Sequence, residues 1–136
     1  QRRKVSAENL RNISNTVCYS SVATASDLEA PVIVAPSVSG FTTRMLSKWR
    51  PKALIAGLSL SMTAVRQMQL YWGVKPFHAK RAESTDALLF ASVELLKEKG
   101  IVKEGEIVVA TAGVVTRANR HEPVADTNIM RVMVVE

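Results

Sequence analysis

The sequence predicts an α/β domain, a three-layer α/β/α arrangement on a five-stranded, mostly parallel sheet. Two observations carry that expectation. Short apolar runs bounded by turn residues alternate with helix-length segments, the pattern of strand–helix–strand units. The run Val32-Ile33-Val34-Ala35 is apolar at every position, as a parallel strand covered on both faces must be.

Each element follows from local chemistry. Ser6 to Leu28 contains neither Gly nor Pro, and Leu10, Ile13 and Val17 form a stripe continued by Ala25 and Leu28. A long amphipathic helix capped by Ser6 is predicted there. Pro31 leads into the first strand, after which Ser37-Val38-Ser39-Gly40 turns the chain. A second helix runs from Thr42 to about Trp49, with Phe41, Met45 and Trp49 on one side, and Arg50-Pro51 stops it because a residue before proline is driven from helical geometry. Ala53 to Gly57 is a second strand. A third helix starts at Ser61 or Thr63, continues to about Tyr71 and is ended by Gly73. Val74 to Ala79 is a third strand near an edge, since Pro76 donates no ladder hydrogen bond.

Ser84, with Asp86 behind it, caps a fourth helix to Lys99, and Gly100 closes it. Ile107 to Ala112 is the fourth strand. Gly113 to Asp126 is a polar loop, long for a compact domain and so a candidate for function. Ile129 to Val135 is the last strand, with Met130, Val132 and Val134 on one face and Arg131 among Ile129, Met133 and Val135 on the other. No helix separates the last two strands, so the fifth should run antiparallel to the fourth. The expected sheet order is 3-2-1-4-5, with right-handed crossovers.

Composition narrows the function. At 136 residues the chain is one domain, with 47% hydrophobic and 22% charged residues, an ordinary globular balance. No apolar run approaches the ~20 residues of a membrane span, so no membrane partner is expected. One cysteine precludes an internal disulfide, and two histidines beside it make no conventional zinc cluster. The start, Gln1-Arg2-Arg3-Lys4, lacks an initiator Met and an apolar segment behind it, which points to a piece of a longer protein without a secretory signal. The net charge of +6 and pI of about 9.8 favour anionic partners. Nucleic acid is not expected, because aromatics are 5% and the cations are scattered apart from Arg44, Lys48, Arg50 and Lys52.

Two segments could carry chemistry. Ser37-Val38-Ser39-Gly40-Phe41-Thr42-Thr43 joins a buried strand to a helix, and free N–H groups at a helix start, with hydroxyls, suit phosphate oxygens. The alternative is that Ser39 only caps the helix and Gly40 only turns. The stretch is neither a Walker A loop nor a dinucleotide fingerprint. The second is the loop Gly113 to Asp126 with Arg117, Arg120 and His121; arginine binds phosphate bidentately, or the three cations are simply solvated. With the order above, both loops border the crevice where strand order reverses, between the first and fourth strands. Cys18 reads as a packed thiol, His78 has no ligand partner at useful spacing, and Glu94, Lys97 and Glu98 read as a solvated helix face. Asp86 reads as a first-turn carboxylate at the helix dipole. No catalytic residues are identified.

Taken together, several segments resemble the C-terminal domain of pyruvate kinases. The carriers are Asn12-Ile13-Ser14 with Ala23, Ala25 and Asp27 to Ala30, and above all Ser39-Gly40-Phe41-Thr42-Thr43-Arg44-Met45-Leu46-Ser47-Lys48-Trp49-Arg50-Pro51-Lys52. Trp49 stands in the usual Tyr place, and Leu54 replaces the family's second Pro. Thr63-Ala64, Arg66-Gln67, Trp72-Gly73-Val74, Gly105 to Val109 and Asp126 to Val132 extend the match over nearly the whole chain.

The resemblance implies a cytoplasmic enzyme that moves a phosphoryl group from phosphoenolpyruvate to ADP with magnesium and potassium, in a barrel with a lid domain outside this chain. It implies no cofactor in the domain itself. A phosphorylated metabolite would place its phosphate at Ser37, Ser39, Gly40, Thr42 and Thr43, with the last loop, bearing Arg117 and Arg120, closing over the rest. Val38 stands where many effector-responsive members have a polar residue, and the last loop lacks the Trp and Gly-rich stretch that accompany fructose-1,6-bisphosphate. A sugar monophosphate, a nucleotide monophosphate or no effector at all is equally compatible. The resemblance also implies subunit contacts: a homo-oligomer, with a dimer of this fragment through its last strand and a tetramer of the full enzyme. The rival readings are a stand-alone anion-binding module of the same fold and an independent small enzyme.

Overall fold

The computed structural model describes residues 6–113 and 127–136. In chain order it contains α1 (Ala7–Asp27), β1 (Val32–Pro36), α2 (Phe41–Lys48), β2 (Leu54–Ser59), α3 (Met62–Met68), β3 (Val74–His78), α4 (Thr85–Glu98), β4 (Ile107–Ala112) and β5 (Ile129–Val134). The five strands form one sheet of order β3-β2-β1-β4-β5. β1 pairs in parallel with β2 and β4, β2 pairs in parallel with β3, and β5 returns antiparallel to β4. The fold class, strand order and reversed last strand are those the sequence predicts.

Alternation along the strands splits the core in two. On one face Ile33, Ala35, Ile55 and Val109 pack with Cys18 and Ala25 of α1 and Leu46 of α2. On the other, Val32, Val34, Ala56, Leu58, Val108 and Ala110 pack with Leu89, Val93 and Leu96 of α4. Three helices start as their caps require: Ser6, Ser61 and Ser84 each accept a hydrogen bond from the backbone N–H three residues on, at 3.1, 3.2 and 3.1 Å. Each such cap stabilises its helix by about 1 kcal/mol.

Three expectations are corrected. The buried stripe of α1 is Ser14, Cys18, Ser21 and Ala25, while Ile13 and Leu28 are exposed. Small side chains let the helix approach the sheet closely, so the larger aliphatics sit on its flanks. The third helix ends at Met68 rather than Tyr71, because the N–H groups of Leu70 and Tyr71 bond back three residues, to Gln67 and Met68, in a tightened turn. Ser39 does not cap α2. The helix starts at Phe41 behind Gly40, whose φ of 86° only glycine adopts at little cost, and the Ser37 hydroxyl accepts from the Gly40 N–H at 2.9 Å.

The sheet ends differ. At the outer edge of β3, Lys75 and Pro76 interrupt the ladder surface. At the outer edge of β5, Met130, Val132 and Val134 lie exposed on one face, as expected, while the Arg131 guanidinium on the other pairs with Asp86 of α4. That partner replaces the solitary dipole contact expected of Asp86.

Candidate functional site

The carboxyl ends of β1 to β4 frame an open cleft of about 600 Å³. Its walls are the β1–α2 turn (Ser37, Val38, Ser39 and Thr42), the β2–α3 connection (Ser59, Leu60 and Ser61) and the β3–α4 connection (Lys80, Arg81 and Ala82). Leu58, Leu88, Ala79 and Ala112 supply an apolar floor. The volume suits a small metabolite, and the setting is the one where open α/β sheets bind ligands.

The β1–α2 turn is held by its own polar groups. The Ser37 N–H bonds to the Leu58 carbonyl at 2.8 Å, which ties the turn to β2. Thr43 is fully buried and donates to the Gly40 carbonyl at 2.8 Å. Thr42 lines the cleft, but its hydroxyl shares a 2.6 Å hydrogen bond with that of Thr127, which is also buried. The Thr127 N–H donates to Ser14 of α1 at 3.2 Å, so α1, α2 and the start of β5 meet in one buried polar knot. Cys18 belongs to it: burial pushes its thiol up to about 11, against a smaller lowering from its hydrogen bond with Thr127.

Of the predicted site residues, Ser37, Ser39 and Thr42 therefore line the cleft with Gly40 behind them, while Thr43 serves the turn from beneath. Val38 is 89% exposed at the turn's tip, and its carbonyl accepts from Ser59 at 3.3 Å. Arg117, Arg120 and His121 lie outside the described residues. The remaining wall was not singled out from sequence: Ser59, Ser61, Lys80, Arg81, Ser84 and Thr85 complete it. The signal was available. The rule that loops after parallel strands converge holds for the second and third strands as well as for those flanking the reversal.

A second, shallower groove lies between the end of α2 and the turn before β3. It is lined by Arg44, Ser47, Lys48, Arg50, Leu70, Tyr71 and Trp72, with the Arg50 guanidinium 4.9 Å from the Trp72 ring. Most of the cation cluster noted in the sequence thus collects here, away from the cleft.

The family sequence model described as "Pyruvate kinase, alpha/beta domain" matches residues 15–133, which include every strand and the whole of the cleft described above. The chain belongs to that family. A pyruvate kinase of Clostridium acetobutylicum is 36% identical over 126 residues, 93% of this chain and 26% of that protein. One from Geobacillus stearothermophilus is 36% identical over 131 residues, 94% of this chain and 21% of its relative. The crystal structure of a pyruvate kinase from Cryptosporidium parvum superposes with a TM-score of 0.79 at 22% identity, covering 91% of this chain and 23% of that one, and shows the same fold. The pyruvate kinase α/β domain thus spans about a quarter or less of the relatives it matches. Among the described residues no helix is long and apolar enough to cross a membrane.

Proposed function

We propose that this chain is the effector-binding and subunit-pairing domain of a pyruvate kinase, whose larger remainder transfers a phosphoryl group from phosphoenolpyruvate to ADP in the cytoplasm. The observation that carries the effector reading is the cleft at the start of α2, where the exposed Ser39 and the partly buried Ser37 stand beside an eight-residue helix opening toward them. Backbone N–H groups and hydroxyls in that arrangement favour a phosphate group over a neutral ligand. Magnesium and potassium belong to the remainder of the enzyme. Among the described residues no three of His, Cys, Asp and Glu could hold a metal ion together, so nothing described here fits either ion and no step is assigned to them.

The test is thermal unfolding of the 136-residue chain in the presence of sugar phosphates. A ligand at a hundred times its dissociation constant adds about 2.7 kcal/mol to stability, a readily measured shift that Ser39→Ala should reduce. No shift with any phosphorylated metabolite at millimolar concentration counts against the reading. In a coupled pyruvate assay with magnesium, potassium, phosphoenolpyruvate and ADP, the same chain should read at background.

The pairing reading is supported by the β5 edge. Met130, Val132 and Val134 are 38%, 45% and 61% exposed beside unpaired backbone groups. A second copy of β5 satisfies both through a two-fold contact. Light scattering should find a dimer of the chain, and a strict monomer at about 100 µM defeats that reading.

A further inference from the structure

Resting on the phosphate site proposed above, we infer that Lys80 and Arg81 form a second anion subsite in the same cleft, so that the preferred ligand is an elongated molecule with an anionic group at each end. Both residues follow β3 directly and line the cleft that Ser37 and Ser39 line from β1. The sheet sets the distance between the two ends. β2 lies between β1 and β3, and neighbouring strands are ~4.8 Å apart, so the two walls stand about 10 Å from each other. A single phosphate cannot touch both, and pyrophosphate, with its charges on adjacent groups, is too short.

The space between the ends is suited to an uncharged body. Leu58, Ala79 and Leu88 form apolar floor, and the Ser59 and Ser61 hydroxyls are already engaged, Ser59 with the Val38 carbonyl and Ser61 with the Ala64 N–H. The cations are not neutralised from within. Lys80 and Arg81 are exposed with no ion pair among the described residues. Asp86, the acid in the first turn of α4, is taken by Arg131, and Glu83 does not line the cleft. Arginine beside lysine pairs a planar, bidentate donor with a mobile point charge, a combination that suits a phosphate or a carboxylate.

A graded set of probes tests this by calorimetric titration of the 136-residue chain at fixed ionic strength: inorganic phosphate, pyrophosphate, the monophosphate ester of a six-carbon alcohol and the bisphosphate ester of the matching diol. The bisphosphate ester should bind about tenfold or more tightly than the monophosphate ester, and pyrophosphate should gain no such advantage over phosphate. Lys80→Ala/Arg81→Ala should erase the bisphosphate advantage and leave monophosphate affinity unchanged, and unfolding of the ligand-free double variant should match the wild type. A monophosphate that binds as well as the bisphosphate overturns the second subsite alone, as does a double variant that keeps the preference. Failure of every probe to bind overturns the phosphate site at the β1–α2 turn as well.

Discussion

The two ends of the cleft are built in opposite ways. At the β1–α2 turn, Ser37 holds Gly40, Thr43 holds the Gly40 carbonyl, and Thr42 is locked to Thr127, so most side-chain polar groups serve the turn itself. At the β3–α4 connection, Lys80 and Arg81 stand exposed, bound to nothing described, and only Ser84 is committed, as the cap of α4. The first end offers fixed backbone N–H groups whose positions were set on folding. The second offers long, charged side chains that can adjust to what arrives. Fixed dipoles favour discrimination by shape, whereas mobile cations favour tolerance.

Substitutions should separate the ends in the same way. The largest effect belongs to Gly57→Val, beneath the fixed end, since a Cβ there would stand 2.7 Å from Met68 Sδ and 2.8 Å from Thr43 Cγ2. Urea unfolding should show a loss of about 3 kcal/mol, and a loss below about 1 kcal/mol would mean that α2 and α3 yield readily. Thr42→Val keeps the shape but strands the buried Thr127 hydroxyl, with an expected loss of about 2 kcal/mol. Thr127→Val added to it should cost little more, because the partners act as a pair. Gly40→Ala, with φ at 86° and Met68 Cγ at 3.3 Å from the new methyl, should lose about 1 kcal/mol. Lys80→Ala/Arg81→Ala should change unfolding by no more than about 0.5 kcal/mol; a larger loss would make those cations part of the scaffold and remove the contrast.

Much of this was legible in the sequence. The apolar runs at Val32 and Ile107, the Ser caps and the helix-free last connection specify the sheet and its reversal, because burial and turn chemistry act over a few residues. The inner stripe of α1 was not legible by hydropathy. Ser14, Cys18 and Ser21 are chosen for size, and close approach to the sheet outweighs their polarity. The end of α3 depended on a three-residue hydrogen-bond pattern without a strong sequence mark. At the site, the Ser37–Thr42 wall was anticipated, whereas the roles within it were not: Thr43 has the composition of a ligand and the position of a brace. Lys80 and Arg81 went unnoticed because only a three-dimensional edge brings the third strand's exit beside the first.

The lone thiol gives the domain a clock of its own. Cys18 is fully buried in α1 against the sheet, and thiol reagents attack the thiolate. Labelling therefore requires α1 to lift, and its rate counts those openings one molecule at a time without any added probe. Proton release sharpens the reading. The folded thiol keeps its proton to about 11, above its ordinary 9.0, so wild-type stability declines as pH rises from 9.0 toward about 11 while Cys18→Ala loses that component of the decline. Because Cys18 and Thr42 share Thr127 as a neighbour, a ligand that tightens the start of α2 should slow the clock from across the sheet's edge. Occupancy of the cleft then becomes visible as protection of a sulfur atom that no ligand touches.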